Sequence, residues 1–237
     1  MAKLLVLIHT VSPLLSVFDR LGTELLPGVK RMHILDEPLL EHIRQRGHLA
    51  SEDSERVRAH AAVAEQIGAD AVLVTCSTIS PCVDDVRLAV GIPVMKIDDA
   101  MIEKAVATGT RIGVIATNET TLQPTQQLLQ AQAEKLGKEI QVELLLVENA
   151  LPALMDGDSA THDRLVKEAV LNMMGRLDVI VLAQASMARV LDVIPGAERK
   201  VPVLSSPHLA LERVRQLLSN THEYRLRLVS ASEGEGG

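Results

Sequence analysis

Aromatic side chains are nearly missing from this sequence, with one Phe, one Tyr and no Trp in 237 residues. Readers of single-stranded nucleic acid stack bases on aromatic faces, so that class of partner is not expected. Positive charge is also scarce: 24 Lys and Arg against 31 Asp and Glu leave a formal net charge of -7. That balance disfavours a polyanion or an anionic membrane surface, while leaving room for a local basic pocket. Two cysteines, Cys76 and Cys82, are too few for a disulfide framework and point to reduced thiols and a cytoplasmic protein. Six apart on a helix, they would face different sides, which argues against a bridge between them. No run reaches the roughly 18 apolar residues of a membrane span, and Leu4–Ile8 reads as buried strand rather than signal sequence. There is no glycine-rich phosphate loop, so no cofactor is indicated. The eight histidines show no metal-ligand spacing, so no metal is expected either.

What is abundant is aliphatic. Hydrophobic residues make up 47% of the chain, and with so few rings the interior must be packed by Val, Leu, Ile, Ala and Met. Short apolar runs at 3–8, 30–35, 71–75, 93–96, 111–116, 140–146, 179–183 and 202–204 alternate with amphipathic stretches such as 51–67, 120–136 and 161–176. Fully apolar runs of strand length separated by helices predict parallel βαβ units in an α/β fold. Ser51 opens one helix and Gly68 closes it, and Asp158 or Ser159 can cap another. The Ser/Gly/Glu-rich tail 230–237 is expected to be disordered.

The chain also repeats itself. Asp70-Ala-Val-Leu-Val-Thr-Cys76-Ser77 is similar to Asp178-Val-Ile-Val-Leu-Ala-Gln-Ala185-Ser186, and the same interval separates Cys76 from Pro93 as separates Ala185 from Pro202. The opening runs match as well, Leu5–Thr10 beside Gly113–Asn118. A repeat of this length predicts two duplicated lobes rather than a solenoid.

In open parallel sheets, ligands bind beyond the carboxyl ends of the strands. Polar residues stand at four such ends: His9-Thr10, Cys76-Ser77-Thr78, Thr117-Asn118 with Thr120, and Gln184-Ala185-Ser186. If the lobes face each other, all four meet in one cleft. A helix start follows each, and free N–H groups there suit an anion such as a carboxylate. Cys76, at a strand tip before a helix, is a candidate proton carrier or nucleophile whose pKa that position tends to lower; the alternative is an inert packed thiol. Cys82 falls further into the helix and reads as packing. His9 and His208 could each reach the cleft or be structural. With so little aromatic surface, the substrate is expected to be a small anionic carboxylate.

Thr75-Cys76-Ser77-Thr78 is similar to the Cys-Asn-Thr turn of the aspartate/glutamate/hydantoin racemase superfamily, and the half-repeat ending in Gln184-Ala185-Ser186-Met187 carries the second part of that resemblance. It spans most of the chain. It implies two pseudo-twofold αβα lobes with parallel sheets and a cleft between them, with 1–98 plus 207–237 in the first lobe and 99–206 in the second. It also implies catalysis without cofactor or metal, and a homo-oligomer is expected. In the racemases, one Cys from each lobe flanks the substrate's α-carbon, because inversion by proton transfer needs a base on one face and an acid on the other. The first thiol matches Cys76, whereas Ala185 is read at the second position. Three functions follow: a racemase or epimerase acting on a small carboxylic acid or amino-acid-like substrate, with Cys76 as one acid/base and His208 or His9 as the second; a single-Cys decarboxylase or cis–trans isomerase of a small dicarboxylic acid; and a non-catalytic binder of small acids. In the first, Ser77, Thr78, Thr117, Asn118 and Ser186 would hold the carboxylate, with His9, Thr10, Thr120 and Gln184 as further substrate-binding candidates.

Overall fold

A computed structural model describes residues 2–220; the tail at 230–237 lies outside them. Eight strands form two four-stranded parallel sheets. The first holds β1 (Leu4–His9), β2 (Lys30–Leu35), β3 (Ala71–Val74) and β4 (Val94–Lys96) in the order β2-β1-β3-β4. The second holds β5 (Arg111–Ala116), β6 (Gln141–Leu146), β7 (Val179–Leu182) and β8 (Val203–Ser205) in the order β6-β5-β7-β8. Each apolar run read from the sequence coincides with one strand to within a residue or two at its ends. The central ones, β1, β3, β5 and β7, are almost wholly buried because helices cover both faces of each sheet.

The helices are α1 (Pro13–Leu25), α2 (Glu37–Arg46), α3 (Ser51–Gln66), α4 (Val83–Arg87), α5 (Asp99–Thr108), α6 (Glu119–Lys135), α7 (Ala150–Met155), α8 (Ser159–Met173), α9 (Val190–Val193) and α10 (Ser206–Ser219). Asp158 caps α8 by accepting from the Thr161 N–H. One apolar core of the first sheet combines Leu5, Leu7, Phe18, Ala71 and Leu73 with Ala210, Leu211 and Val214 of α10. The chain's last described helix therefore packs beside its first strand. Met101, Ile102 and Ala105 of α5 join Ile112, Val114 and Val181 in a core of the second sheet.

The duplication extends to single hydrogen bonds. Asp70 accepts the Leu4 N–H at the start of β1, and Asp178 accepts the Thr110 and Arg111 N–H groups at the start of β5. Beyond β3 and β7 the chain enters matching 3-10 turns, Ser77–Cys82 and Ala185–Arg189. The Thr75 N–H donates to Ile8 as the Ala183 N–H donates to Ile115; the Ile79 N–H closes on Cys76 as the Met187 N–H closes on Gln184.

These bonds correct two equivalences. Residues 5–10 lie beside 112–117, one residue earlier than 113–118, because Leu5 pairs with Ala71 as Ile112 pairs with Val179. The residue that occupies the place of Cys76 in the second lobe is Gln184, not Ala185; Ala185 answers to Ser77 and Ser186 to Thr78. The equal Cys–Pro and Ala–Pro intervals mislead because the second lobe is one residue longer between its turn and β8, where a short 3-10 segment, Gly196–Glu198, is fitted in. Counting from the paired Asp70 and Asp178 gives the observed match.

Candidate active site

The carboxyl ends of β1, β3, β5 and β7 meet at a cavity between the lobes. It encloses about 480 Å³, its open mouth included, and its walls include Thr10, Thr75, Cys76, Ser77, Thr78, Asn118, Gln184, Ala185 and Ser186. Because the open mouth is counted in, the enclosed part is smaller than that figure, which leaves room for a small ligand only. A wider groove, to which Thr117 and Thr120 contribute, adjoins it and shares Thr78 and Asn118 with it. Nine of the eleven side chains singled out in the sequence therefore converge on these two connected spaces, and His9 and His208 do not.

Cys76 is half-buried and unpaired, as is the buried Cys82. Its turn is 3-10 rather than α-helical from the start, and it contains Pro81. Desolvation is the largest influence on the thiol and pushes its pKa up, against the lowering expected from a helix start. The Thr10 hydroxyl, the Ile79 and Thr78 N–H groups and the Thr78 hydroxyl face the sulfur and pull the other way. The Thr10 hydroxyl is buried and has no other partner. Cys76 thus rests as a thiol, surrounded by donors that would steady a thiolate once formed.

The second lobe repeats this arrangement with an amide. Gln184 Oε1 accepts from the Thr117 N–H at 2.5 Å, the Thr117 hydroxyl at 3.1 Å and the Asn118 N–H at 3.2 Å. Thr117 stands to Gln184 as Thr10 stands to Cys76. With its oxygen held by three donors, the Gln184 amide keeps its NH₂ group for a ligand. Among the described residues, no side chain lining the inner cavity other than Cys76 can titrate near neutral pH.

Below the Cys76 turn lies Asp98, fully buried just past β4. It accepts from the Ser77 hydroxyl at 2.7 Å and the Ser80 hydroxyl at 2.6 Å. Burial, with Asp99 nearby, pushes its carboxyl up to about 6 against the pull of those hydroxyls. Ser77 is thereby committed to the turn, and Thr78 bonds Thr121 across the lobes at 3.2 Å. Asp98 was missed in the sequence, although it stands at a strand's carboxyl end like the residues that were found.

The two histidines fall elsewhere. His208, on α10, is exposed, with Nδ1 3.6 Å from Glu212, and does not line the cleft. His9 is fully buried: Nδ1 lies 2.7 Å from the Thr75 hydroxyl, Nε2 lies 2.8 Å from His33, and the ring packs on Phe18. Both nitrogens are engaged, and the ring itself does not line the cavity. Burial first, then the neighbouring His33, hold its pKa down to about 3. The unfolded chain therefore binds more protons than the folded one between about pH 6.5 and pH 3, so folding stability falls as pH drops through that window. The loss attributable to His9 is expected to reach on the order of 4 kcal/mol. Urea midpoints taken from pH 7 to 4 should fall, and His9→Asn should flatten that slope; an unchanged slope would remove His9 as its cause.

Among the described residues, no group of three or more His, Cys, Asp or Glu side chains is placed to hold a metal ion. None of the described helices is long and apolar enough to cross a membrane.

Two parallel-sheet lobes with a thiol at the end of one β3-type strand and a shared cleft define a two-lobe racemase fold. Residues 16–214 match the Asp/Glu/Hydantoin racemase family model. The chain belongs to that family. Solved structures agree on the fold: allantoin racemase from Klebsiella pneumoniae (TM-score 0.71, 19% identity, 92% of this chain and 88% of that one), a glutamate racemase from Bacillus anthracis (0.69, 19%, 92% and 82%), and aspartate racemase from Picrophilus torridus (0.68, 13%, 90% and 94%). Among curated proteins, no sequence match is found.

Proposed function

We propose that this protein is a cofactor-independent isomerase of the racemase or epimerase type, moving a proton at the α-carbon of a small carboxylic acid with Cys76 as acid/base. The observation that carries the reading is the half-buried, unpaired Cys76 sulfur, ringed by Thr10, Thr78 and Ile79 donors, in a small cleft between the lobes of a racemase-family fold. The carboxylate would be held by hydroxyl and amide donors, with the Thr78 and Ser186 hydroxyls and the Asn118 and Gln184 amides nearest to hand. Thr117 supports Gln184 rather than the ligand, and Thr120 belongs to the outer groove.

Because Gln184 replaces the second thiol, the opposite face would exchange protons only with water. Exchange should then outrun inversion. Incubating a panel of small chiral acids in D2O, with α-deuteration followed by NMR and enantiomeric composition by chiral chromatography, tests this. The expected result is deuterium incorporation at least tenfold faster than loss of optical purity. Absence of any α-exchange across the panel would sink the proposal.

A second reading is favoured by two observations: a thiol that rests protonated, and an amide where a second proton carrier would stand. Delivery of one proton to one face suits a single-Cys decarboxylase, or a cis–trans isomerase of a small dicarboxylic acid. Released CO2 or a moved double bond without α-exchange would establish it.

A further inference from the structure

The cleft has two unlike halves. One is the polar floor of hydroxyls, amides and Cys76 described above. The other is an aliphatic wall of Val11, Leu14, Leu40, Leu151, Leu154 and Met155, brought together from the end of β1, α1, α2 and α7. Leu40, Leu151 and Leu154 are almost fully buried, yet none of them joins the four apolar cores of the lobes. Their burial serves the cavity instead. Among the described residues, none lining it carries a charge. Charged side chains stand outside that lining: Asp98 lies beneath Ser77, Glu37, Glu41 and Arg44 line an adjoining groove that shares Leu40 and Met155 with the cavity, and Glu119 and Glu148 line the wider groove.

We propose that the substrate is a monocarboxylic acid whose other substituents are uncharged and chiefly hydrocarbon. This rests on reading the cleft as a Cys76 acid/base site, and names the substrate class of that site. The floor offers donors for one carboxylate. A second carboxylate, or an ammonium group, would have to leave water for an aliphatic surface without an opposite charge to meet it, and a buried unpaired charge is strongly disfavoured. A hydrocarbon substituent gains on the same transfer, about fourfold in affinity for each methylene buried. Among the described residues the wall has no ring, so recognition depends on shape and desolvation rather than stacking.

Two measurements on the wild-type protein test this. The first is affinity, by calorimetry, for acetate, butanoate, 4-methylpentanoate and phenylacetate, set against succinate and glutarate. The second is α-deuteration of leucine and phenylacetate, set against aspartate and glutamate. Leucine against aspartate isolates the side-chain charge, and phenylacetate against leucine isolates the ammonium. Affinity is expected to climb about fourfold per methylene, with both dicarboxylates at least tenfold below 4-methylpentanoate. Leucine should exchange at least tenfold faster than aspartate, and phenylacetate should bind more tightly than leucine. Dicarboxylates that match or exceed the hydrocarbon acids in either measurement overturn the substrate class while leaving proton transfer intact. If no acid exchanges, the proton-transfer reading falls and the affinity series alone decides: a rising series supports the class, and a flat one overturns it.

Discussion

Cys76→Ser is expected to lower α-proton exchange by about 10²- to 10⁴-fold, the usual worth of a positioned general acid or base, while leaving the fold intact. Serine is close in size, and its hydroxyl can keep the Thr10, Thr78 and Ile79 partners that now face the sulfur. What it loses is a proton that can leave near the working pH. Cys82 supplies the contrast. It is buried in the core that holds Ile79, Val83 and Val86, so Cys82→Ala should cost stability and leave exchange within a few-fold of wild type. Circular dichroism and denaturant midpoints beside the NMR exchange rate separate the two effects. The pH profile then assigns the role of the thiol. Since burial raises its pKa, a rate that climbs with pH into the alkaline range marks a base acting as thiolate, and one that falls there marks an acid acting as thiol. Retention of more than a tenth of the exchange rate in Cys76→Ser would remove Cys76 from the chemistry.

Much of this architecture was legible in the sequence because parallel strands covered on both faces must be apolar from end to end. Runs such as Val72-Leu73-Val74 and Val179-Ile180-Val181 can do little else, and the Asp that precedes each fixes where it starts. The polar strand ends were equally visible, and most of them do reach the cleft. Side-chain direction was not. His9 sits at a strand end like Thr10, but alternation along the strand sends it to Thr75, His33 and Phe18 on the core side. His208 lies on the solvent side of α10. The register slip between Ala185 and Gln184 has a different origin. Equal intervals to Pro93 and Pro202 imply loops of one length, whereas the strands keep their register between the copies and the second loop holds an extra residue. The cavity wall escaped notice for a third reason: Leu40, Leu151 and Leu154 are ordinary aliphatics, and nothing local distinguishes a leucine that fills a core from one that borders a cavity.

Gln184→Cys is expected to give the largest gain of any single substitution, raising the rate of inversion by about 10²-fold or more while changing exchange far less. Inversion needs a proton carrier on each face of the α-carbon, and the wild-type cleft has Cys76 alone. The second place is already furnished. The Thr117 hydroxyl and the Thr117 and Asn118 N–H groups, which now hold the Gln184 oxygen, would be released to steady a thiolate, as Thr10, Thr78 and Ile79 are placed to do for Cys76. Ala185→Cys is the control. Ala185 borders the cavity, but it answers to Ser77, whose side chain turns to Asp98, and it packs in the core with Leu5, Leu7 and Ala210, so a thiol there should leave inversion at the wild-type rate. The ratio of racemisation to α-deuteration, measured for both variants on the same acid, reads the outcome directly. A gain in Ala185→Cys without one in Gln184→Cys would mean that the lobes are related by the interval to Pro202 after all, and that the hydrogen-bond register of the strands does not carry over to the chemistry at their tips.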